Sequence, residues 1–508
     1  MSGMFESKSD KASRKLERTQ KEEKARKKSR MITASVIIVF LLLTSVAIII
    51  NSGFIRRTLP VLTIDGVSFT TAEFEYFFNT EYMEYANFMY QFQGMGDSMP
   101  DANRPLSGQI YNPETGETWA DMILNSTLER MINYTTLNNA AKAAGFVLQE
   151  ERIEALEDDI AMLDMQAKMG GFPSTDSLLQ QMFGSGMNEK IYRNMLEFIS
   201  VAGSYNEYVR ESFVYSAENL TGYYNENKDD LDVFNYRQFA VMFDELYPSD
   251  THSIAMAIAE GISNEYDFIT AAMEYNDVFY PEPGSTLRAV QGERLDADTA
   301  AWLIDENRDY GDVTVIETEQ GSIVTFFVSR DNNDYHTLGM RQILITRAQI
   351  NPEEYLYGED DLEFNAALEQ AEREVRERAE LVNSLFIAAG ETEDALIDLM
   401  ADYSDDTTEG GLYMNITKYP YQSANLSTMK VVPEIEDWLF DENRAVGDSE
   451  LVFTSAYGYH LLYFTGLGEP FFELIADDRM RTRDHDEWLV GLTRGVPEKL
   501  PGFLLVQM

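Results

Sequence analysis

The spacing of apolar and polar positions divides the chain into segments of different character. Residues 32–50 read ITASVIIVFLLLTSVAIII, nineteen residues without a charge. At ~1.5 Å per residue a helix of that length roughly spans a bilayer core. Beyond it, VLTIDGVSFT places an Asp65-Gly66 turn between apolar residues, which predicts a short hairpin. Thr70-Thr71-Ala72-Glu73 has the form of a capping box opening a helix. That helix carries Phe74, Phe77, Phe78, Tyr82, Tyr85, Phe88 and Phe92, with Met83, Met89, Met95 and Met99 interspersed. Two readings fit it: a packed core or seam, and an adaptable groove for varied apolar partners. Residues 94–116 are expected to be a loop. Helices follow at 119–144 (ended by Gly145), 149–169 (ended by Gly170-Gly171), from Pro173-Ser174 through Met182, at 188–213 and at 217–227.

The period changes at Phe234. FNYRQFAVMF alternates as a strand does. Helices at 252–262 and 265–275 come next, then a segment that occurs twice. Residues 302–312 read WLIDENRDYGD and residues 438–448 read WLFDENRAVGD, identical at eight of eleven positions. Strand-like runs follow both copies, so two related modules stand in tandem. Arg237-Gln238 aligns with Arg341-Gln342 at a spacing of 104, and Trp302 with Trp438 at a spacing of 136. The second copy therefore holds an insertion of 32 residues, placed in the charged helical stretch 361–385. Each module is expected to run β-α-α-α-β-β around a small antiparallel sheet, an α+β unit. The repeated Trp and Leu are expected to be core, and the repeated Asp-Glu-Asn-Arg with Gly-Asp to end a helix and make a turn.

Charge adds an asymmetry. The 508 residues carry a formal net charge of −47. Residues 1–31 hold 11 Lys/Arg against 5 Asp/Glu, a net of +6, which leaves −53 on the remainder. The basic cluster from Lys8 to Arg30 places the N-terminus in the cytoplasm, with Arg56 and Arg57 weakly opposing that orientation. An uncleaved anchor at 32–50 is expected. A cleavable signal peptide is the competing reading, although no small-x-small cleavage site follows the apolar run. So acidic a body repels nucleic acid. With no Cys there is no disulfide framework and no zinc thiolate set.

Most site chemistries find no support. The chain has no Gly-rich phosphate loop, no G-x-S-x-G and no H-E-x-x-H. Its four histidines, at 252, 336, 460 and 485, are scattered. Asp331-Asn332-Asn333-Asp334 lacks the Gly and terminal Glu of a calcium loop. Neither a cofactor nor a metal site is expected, and only weak association of calcium with the acidic surface stays open.

The succession YSDDTTEGGLY (403–413), VVPEIEDWLF (431–440) and VFTSAYGYHLL (452–462) resembles parvulin-type (PpiC, rotamase) peptidyl-prolyl isomerases. The resemblance covers 335–468. The segment 60–230, which opens I-D-G-V-x-F-T-x-x-E-F and ends L-x-x-Y-Y-N-E-N, is similar to the chaperone region of SurA- and PrsA-like foldases. Charge, the apolar run, the internal repeat and the resemblance together divide the chain into a basic cytoplasmic tail (1–31), a transmembrane anchor (32–50), a helical chaperone region (58–230), a degenerate parvulin-like module (231–334), a parvulin-like isomerase module (335–468) and a C-terminal extension (469–508). The resemblance also implies site residues. His460 matches the second family histidine, and Asp406 the Asp/Cys position after Ser404-Asp405. Leu412, Val431 and Ile435 match the apolar proline pocket, and Thr454 a hydroxyl beside it. Gln342 falls on the first family histidine; it can donate a hydrogen bond but cannot titrate. In the first module Gln238 replaces the same histidine, Ile323 stands where His460 would be and no Ser-Asp loop is found, so that module is expected to be inactive.

Isomerising an X-Pro bond means crossing a barrier of ~18–20 kcal/mol set by amide resonance. No covalent nucleophile is needed, only an apolar seat for proline and polar groups that favour the twisted amide. The expected protein is a cell-membrane, single-pass, extracytoplasmic foldase acting on unfolded or proline-containing secreted polypeptides. Two alternatives stand beside it: a non-catalytic holdase with degenerate modules, and an envelope scaffold with one fixed partner. His460 as an ordinary core histidine and Asp406 as a turn residue are the bland readings of the same positions.

Overall fold

The computed structural model describes residues 53–91, 100–101, 104–242, 250–275, 286–351, 362–495 and 497–498, together with 27, 28, 31 and 35. Apart from Ser35, the uncharged run at 32–50 lies outside these residues, as do Phe92, Met95 and Met99. Among the described residues no helix is long and apolar enough to cross a membrane. The fold is α+β and forms two compact units, Met1–Ser212 with His485–Met508, and Phe213–Asp484.

The first unit opens with a short helix α1 (Phe54–Thr58) and the hairpin β1 (Pro60–Ile64) and β2 (Val67–Thr70). Asp65 and Gly66 both have positive φ (45° and 80°), as the tight turn between twisted strands requires. The capping box forms: Thr70 N–H donates to Glu73 Oε2 at 2.7 Å, and Glu73 N–H donates back to Thr70 Oγ1 at 3.4 Å. It opens α2 (Thr71–Gln91). Phe74, Phe77, Phe78 and Met89 of this helix are buried and Tyr82 and Met83 are packed, so most of its apolar face is core; Phe88 is exposed. The stretch expected to be a loop holds β3 (Ile110–Asn112), which pairs with β4 (Glu117–Thr118) just beyond it. Four helices follow: α3 (Trp119–Ala144), α4 (Glu150–Met169), α5 (Thr175–Phe183) and α6 (Glu189–Ser212). Their apolar stripes close over Phe69, Phe77, Ile123, Met131 and Leu179.

In the second unit α7 (Ala217–Glu226) and α8 (Lys228–Leu231) lead into a four-stranded antiparallel sheet. That sheet is built from β5 (Val233–Met242), β6 (Arg288–Gln291), β7 (Val313–Thr318) and β8 (Gly321–Asp331), in the order β6-β5-β8-β7. Helices α9 (Thr251–Glu260), α10 (Glu265–Tyr275) and α11 (Ala297–Leu303) complete the first module. The second module repeats the plan. Its strands are β9 (His336–Thr346), β10 (Leu412–Ile416), β11 (Ser449–Thr454) and β12 (Gly458–Pro470), ordered β10-β9-β12-β11. Its helices are α12 (Leu362–Ala388), α13 (Glu393–Tyr403) and α14 (Pro433–Leu439). Each module thus runs β-α-α-β-α-β-β, with a strand before the third helix that the expected β-α-α-α-β-β order lacks. β6 and β10 are only four and five residues long, too short for alternation to stand out from loop. Much of the insertion is the first helix, 27 residues in α12 against ten in α9.

The duplicated WLxDENRxxGD segment has a physical explanation. Arg308 and Arg444 each stack 4.0 Å over the rings of Trp302 and Trp438, and each Nε donates to that Trp's carbonyl. Asp305 and Asp441 each accept from the backbone and side-chain N–H of Asn307 and Asn443, closing an Asx turn. Gly311 and Gly447 then bond back to Phe327 and Phe464. The shared Trp, Asp, Asn, Arg and Gly residues serve this helix-to-strand corner, whereas Glu306 pairs with Lys228 outside it. Asn333, in the run first weighed for calcium, is a buried turn residue whose amide donates to Tyr224 Oη and the Leu231 carbonyl.

The tail, for which the sequence suggested no architecture, is a helix (Phe471–Gly491) followed by a short strand (Pro497–Glu498). Phe471, Ile475 and Ala476 pack in the second unit with Leu220, Tyr224 and Tyr421. From His485 onward the chain belongs to the first unit, where Glu498 pairs with Thr63 of β1.

Candidate functional site

Alternation along β9 and β12 decides which side chains reach the site. Ile343 and Ile345 of β9, with Leu461 and Tyr463 of β12, face α12 and α13. Met340, Gln342 and Leu344, with His460 and Leu462, take the opposite face under α14. The pair is antiparallel, with His460 opposite Leu344 and Gln342 opposite Leu462. Gln342 and His460 are therefore diagonal neighbours on one face.

The loop 404–411 is fastened to the end of β9. Asp405 N–H donates to the Leu344 carbonyl at 2.8 Å, Leu344 N–H to Ser404 Oγ at 3.2 Å, and Thr346 N–H to Asp405 Oδ2 at 2.8 Å. Gly410 and Gly411 both have positive φ (59° and 55°). A Cβ on Gly411 would stand 2.5 Å from the Gln342 carbonyl, so the Gly-Gly pair is what lets the loop lie against the strand. The effect is to hold Asp406 against Gln342.

A continuous hydrogen-bonded chain results. Tyr413 Oη donates to Asp406 Oδ2 at 2.6 Å, and Gln342 Nε2 donates to the same oxygen at 2.8 Å. Gln342 Oε1 lies 2.8 Å from His460 Nδ1, and His460 Nε2 lies 3.0 Å from Thr454 Oγ1. A carboxylate only accepts, so the Gln342 amide nitrogen must face Asp406 and its oxygen must face the imidazole. That orientation requires His460 Nδ1 to carry the proton and leaves Nε2 to accept from Thr454. Burial pushes the His460 imidazole down to about 4, against the pull of Asp406 and Glu434, so the ring is neutral at neutral pH. Burial also pushes the Asp406 carboxyl up, but the bonds from Tyr413, the Thr408 N–H and Gln342 outweigh it and hold Asp406 below the usual carboxylate range. Burial and the Asp406 contact together raise the Tyr413 phenol.

This chain borders a cavity of ≈ 270 Å³ whose apolar walls include Met340, Leu344, Val431 and Ile435. Of the residues assigned from the sequence, Gln342, Asp406, His460, Val431 and Ile435 line it together. Thr454 does not; it reaches His460 from behind and lines a neighbouring cavity of ≈ 510 Å³ instead. Leu412 is not a pocket residue. It pairs with Arg341, whose side chain points away from the cavity to Glu393, while the next residue, Tyr413, pairs with Met340 and faces in. The assignment slipped by one position, which in a strand reverses the face. Tyr413 and Tyr457 are the functional candidates missed. Tyr457 lines both cavities and sets its ring edge-on to His460 at 6.2 Å. The strand register of β10 is the signal that would have found Tyr413.

The first module lacks this arrangement at the equivalent register. Ile323 lies opposite Ala240, as His460 lies opposite Leu344, and Gln238 lies opposite Thr325. The buried Gln238 amide donates to Thr299 Oγ1 at 3.0 Å and Thr325 Oγ1 at 3.1 Å. The first-module counterpart of loop 404–411 lies outside the described residues.

No family model and no curated protein matches the chain. Among solved structures it is similar to the peptidylprolyl isomerase PrsA of Bacillus anthracis, with 14% identity over 40% of this chain and 79% of that one and a TM-score of 0.22. It is also similar to PrsA of Bacillus subtilis, with 13% identity, 42% and 73% covered and a TM-score of 0.15. A third similar structure comes from work on PEB4 and Cj1289, two SurA-like chaperones of Campylobacter jejuni, with 14% identity, 54% and 83% covered and a TM-score of 0.18.

Proposed function

We propose that the chain is a membrane-anchored, extracytoplasmic foldase whose second module is a peptidyl-prolyl cis-trans isomerase and whose first module is inactive. One observation carries the isomerase reading: the Tyr413–Asp406–Gln342–His460–Thr454 chain stands at the edge of an apolar cavity sized for a small ring. The chemistry fits these groups. Proline seated against Met340, Val431 and Ile435 loses water around the adjoining amide, which weakens the resonance that sustains the barrier. A neutral imidazole and an oriented carboxamide supply fixed dipoles beside the twisting bond. No side chain needs to become a nucleophile. Gln342 takes the place of the first family histidine as a bridge, bonding at both ends.

The substrates in this reading are unfolded, proline-containing secreted polypeptides, and residues 32–50 hold the protein at the membrane with the acidic body outside. A holdase activity of the helical unit is favoured by a separate observation. Met162, Met165 and Met169 form an exposed stripe on α4, opposite its buried Ile160, Leu163 and Ala167, and Met-rich faces accommodate varied apolar segments.

The test is the cis-to-trans rate of a short X-Pro peptide, with and without Asp406→Ala. Acceleration by the parent protein that falls in the variant supports an isomerase. No acceleration, together with suppressed aggregation of an unfolded client, leaves a chaperone only.

A further inference from the structure

Gly53, three residues after the uncharged run at 32–50, is seated against the helical unit. A Cβ on Gly53 would stand 2.4 Å from the Ser185 carbonyl, and one on Gly186 would stand 2.8 Å from Arg56 Cβ, so the chain at 53–56 lies close against 185–186. Helix α1 is held by both of its basic side chains. Arg56 pairs with the buried Glu75, and Arg57 Nε donates to the Gly186 carbonyl at 2.8 Å. Arginines next to an apolar span ordinarily reach out to lipid headgroups; these two are engaged by the protein. The outward side chains are apolar instead: Phe54 is 59% exposed, Ile55 40% and Leu59 56%.

A clamped helix, an outward apolar triplet and a span-length uncharged run ending three residues before Gly53 in the sequence fit one occupant, the headgroup–acyl boundary of a bilayer. We infer that Phe54, Ile55 and Leu59 seat the helical unit on the bilayer surface in one fixed orientation, rather than leaving it on a flexible tether. The inference rests on the reading of 32–50 as an anchor. The body beyond residue 31 carries a net charge of −53, so it is repelled by anionic headgroups and the contact is apolar. In this seat the exposed methionines of α4 are held at a constant height above the membrane.

The chain has no cysteine, so Leu59→Cys provides a single site for an environment-sensitive fluorophore. The full chain is incorporated into phosphatidylcholine vesicles and floated on a density gradient. The expected result is co-flotation, a blue-shifted label at 59 that is quenched by headgroup-region spin-labelled lipid, and a water-like label at Met169→Cys. Adding Phe54→Glu and Ile55→Glu should abolish the shift at 59 while the protein still floats. Flotation with a water-like label at 59 overturns the seating and leaves the anchor standing. Failure to float overturns both.

Discussion

The two modules of the second unit share a sheet order, a helix order and a duplicated corner; beside the longer first helix of the second, they differ in the polar positions of one sheet face. In the second module the face holds Gln342, Leu344 and His460 beside an open cavity. In the first, Gln238 spends its amide on Thr299 and Thr325, and Ile323 fills the histidine position. The same strand pairing therefore carries an oriented polar chain beside a cavity in one copy, and in the other a glutamine bonded to two threonines. Duplication preserved what the corner needs and left the site free to diverge. Architecture and chemistry are written in different residues of the repeat.

The largest expected effect on this comparison is in stability. Trp438 is 6% exposed and Trp302 half-buried, although each supports a stacked Arg. Trp438→Ala should cost about 3–5 kcal/mol and Trp302→Ala clearly less, read from denaturant midpoints. Equal costs would mean that the two corners are packed alike.

An acid response centred on a buried imidazole should distinguish the second module, whose first-module counterpart position holds Ile323. The imidazole of His460 is depressed to about 4 in the fold, against 6.5 when unfolded. Between those values the unfolded chain binds the proton and the folded chain does not, so stability falls as pH drops from about 6.5 to 4, by about 3 kcal/mol. His460→Gln should flatten that decline in the thermal midpoint. A variant as acid-sensitive as the parent would place the titration elsewhere.

Smaller still is the effect of Tyr413→Phe. It removes one charge-assisted bond to Asp406, worth about 1.5–3 kcal/mol, and lets the Asp406 carboxyl rise toward its ordinary value. The Asp406 contribution to stability is present above the unfolded carboxylate pKa and is lost as pH falls through the folded one. In the variant that loss should be smaller and complete at higher pH. Imidazole 15N shifts should also report a less uniform Nδ1–H tautomer at His460, whereas a purely structural Tyr413 would leave the tautomer unchanged.

Much of this was legible in the sequence wherever the determinant is local. Trp119–Ala144 ends where Gly145 adopts positive φ, and the Thr70–Glu73 box caps as its spacing requires. The duplicated corner announced itself because its Trp, Asp, Asn, Arg and Gly bond within the corner. The convergence of Gln342, Asp406 and His460 was reachable only through the family resemblance, since they are brought together by pairing β9 with β12 and by fastening loop 404–411 to β9. The short strands β6 and β10 were not legible, and Tyr413 was missed with them, because a strand of five residues shows its facing only through its partner. The pairing of Glu498 with Thr63 spans nearly the whole chain and leaves no local trace.

The central claim, that equivalent positions in the two modules have different duties, is tested most directly by Gln342→Ala beside Gln238→Ala in a prolyl-isomerisation assay. The prediction is a loss of about tenfold or more in the accelerated rate for Gln342→Ala, equivalent to about 1.4 kcal/mol of barrier, and an unchanged rate for folded Gln238→Ala. An equal loss in both variants, or a Gln342→Ala protein as fast as the parent, would contradict the account.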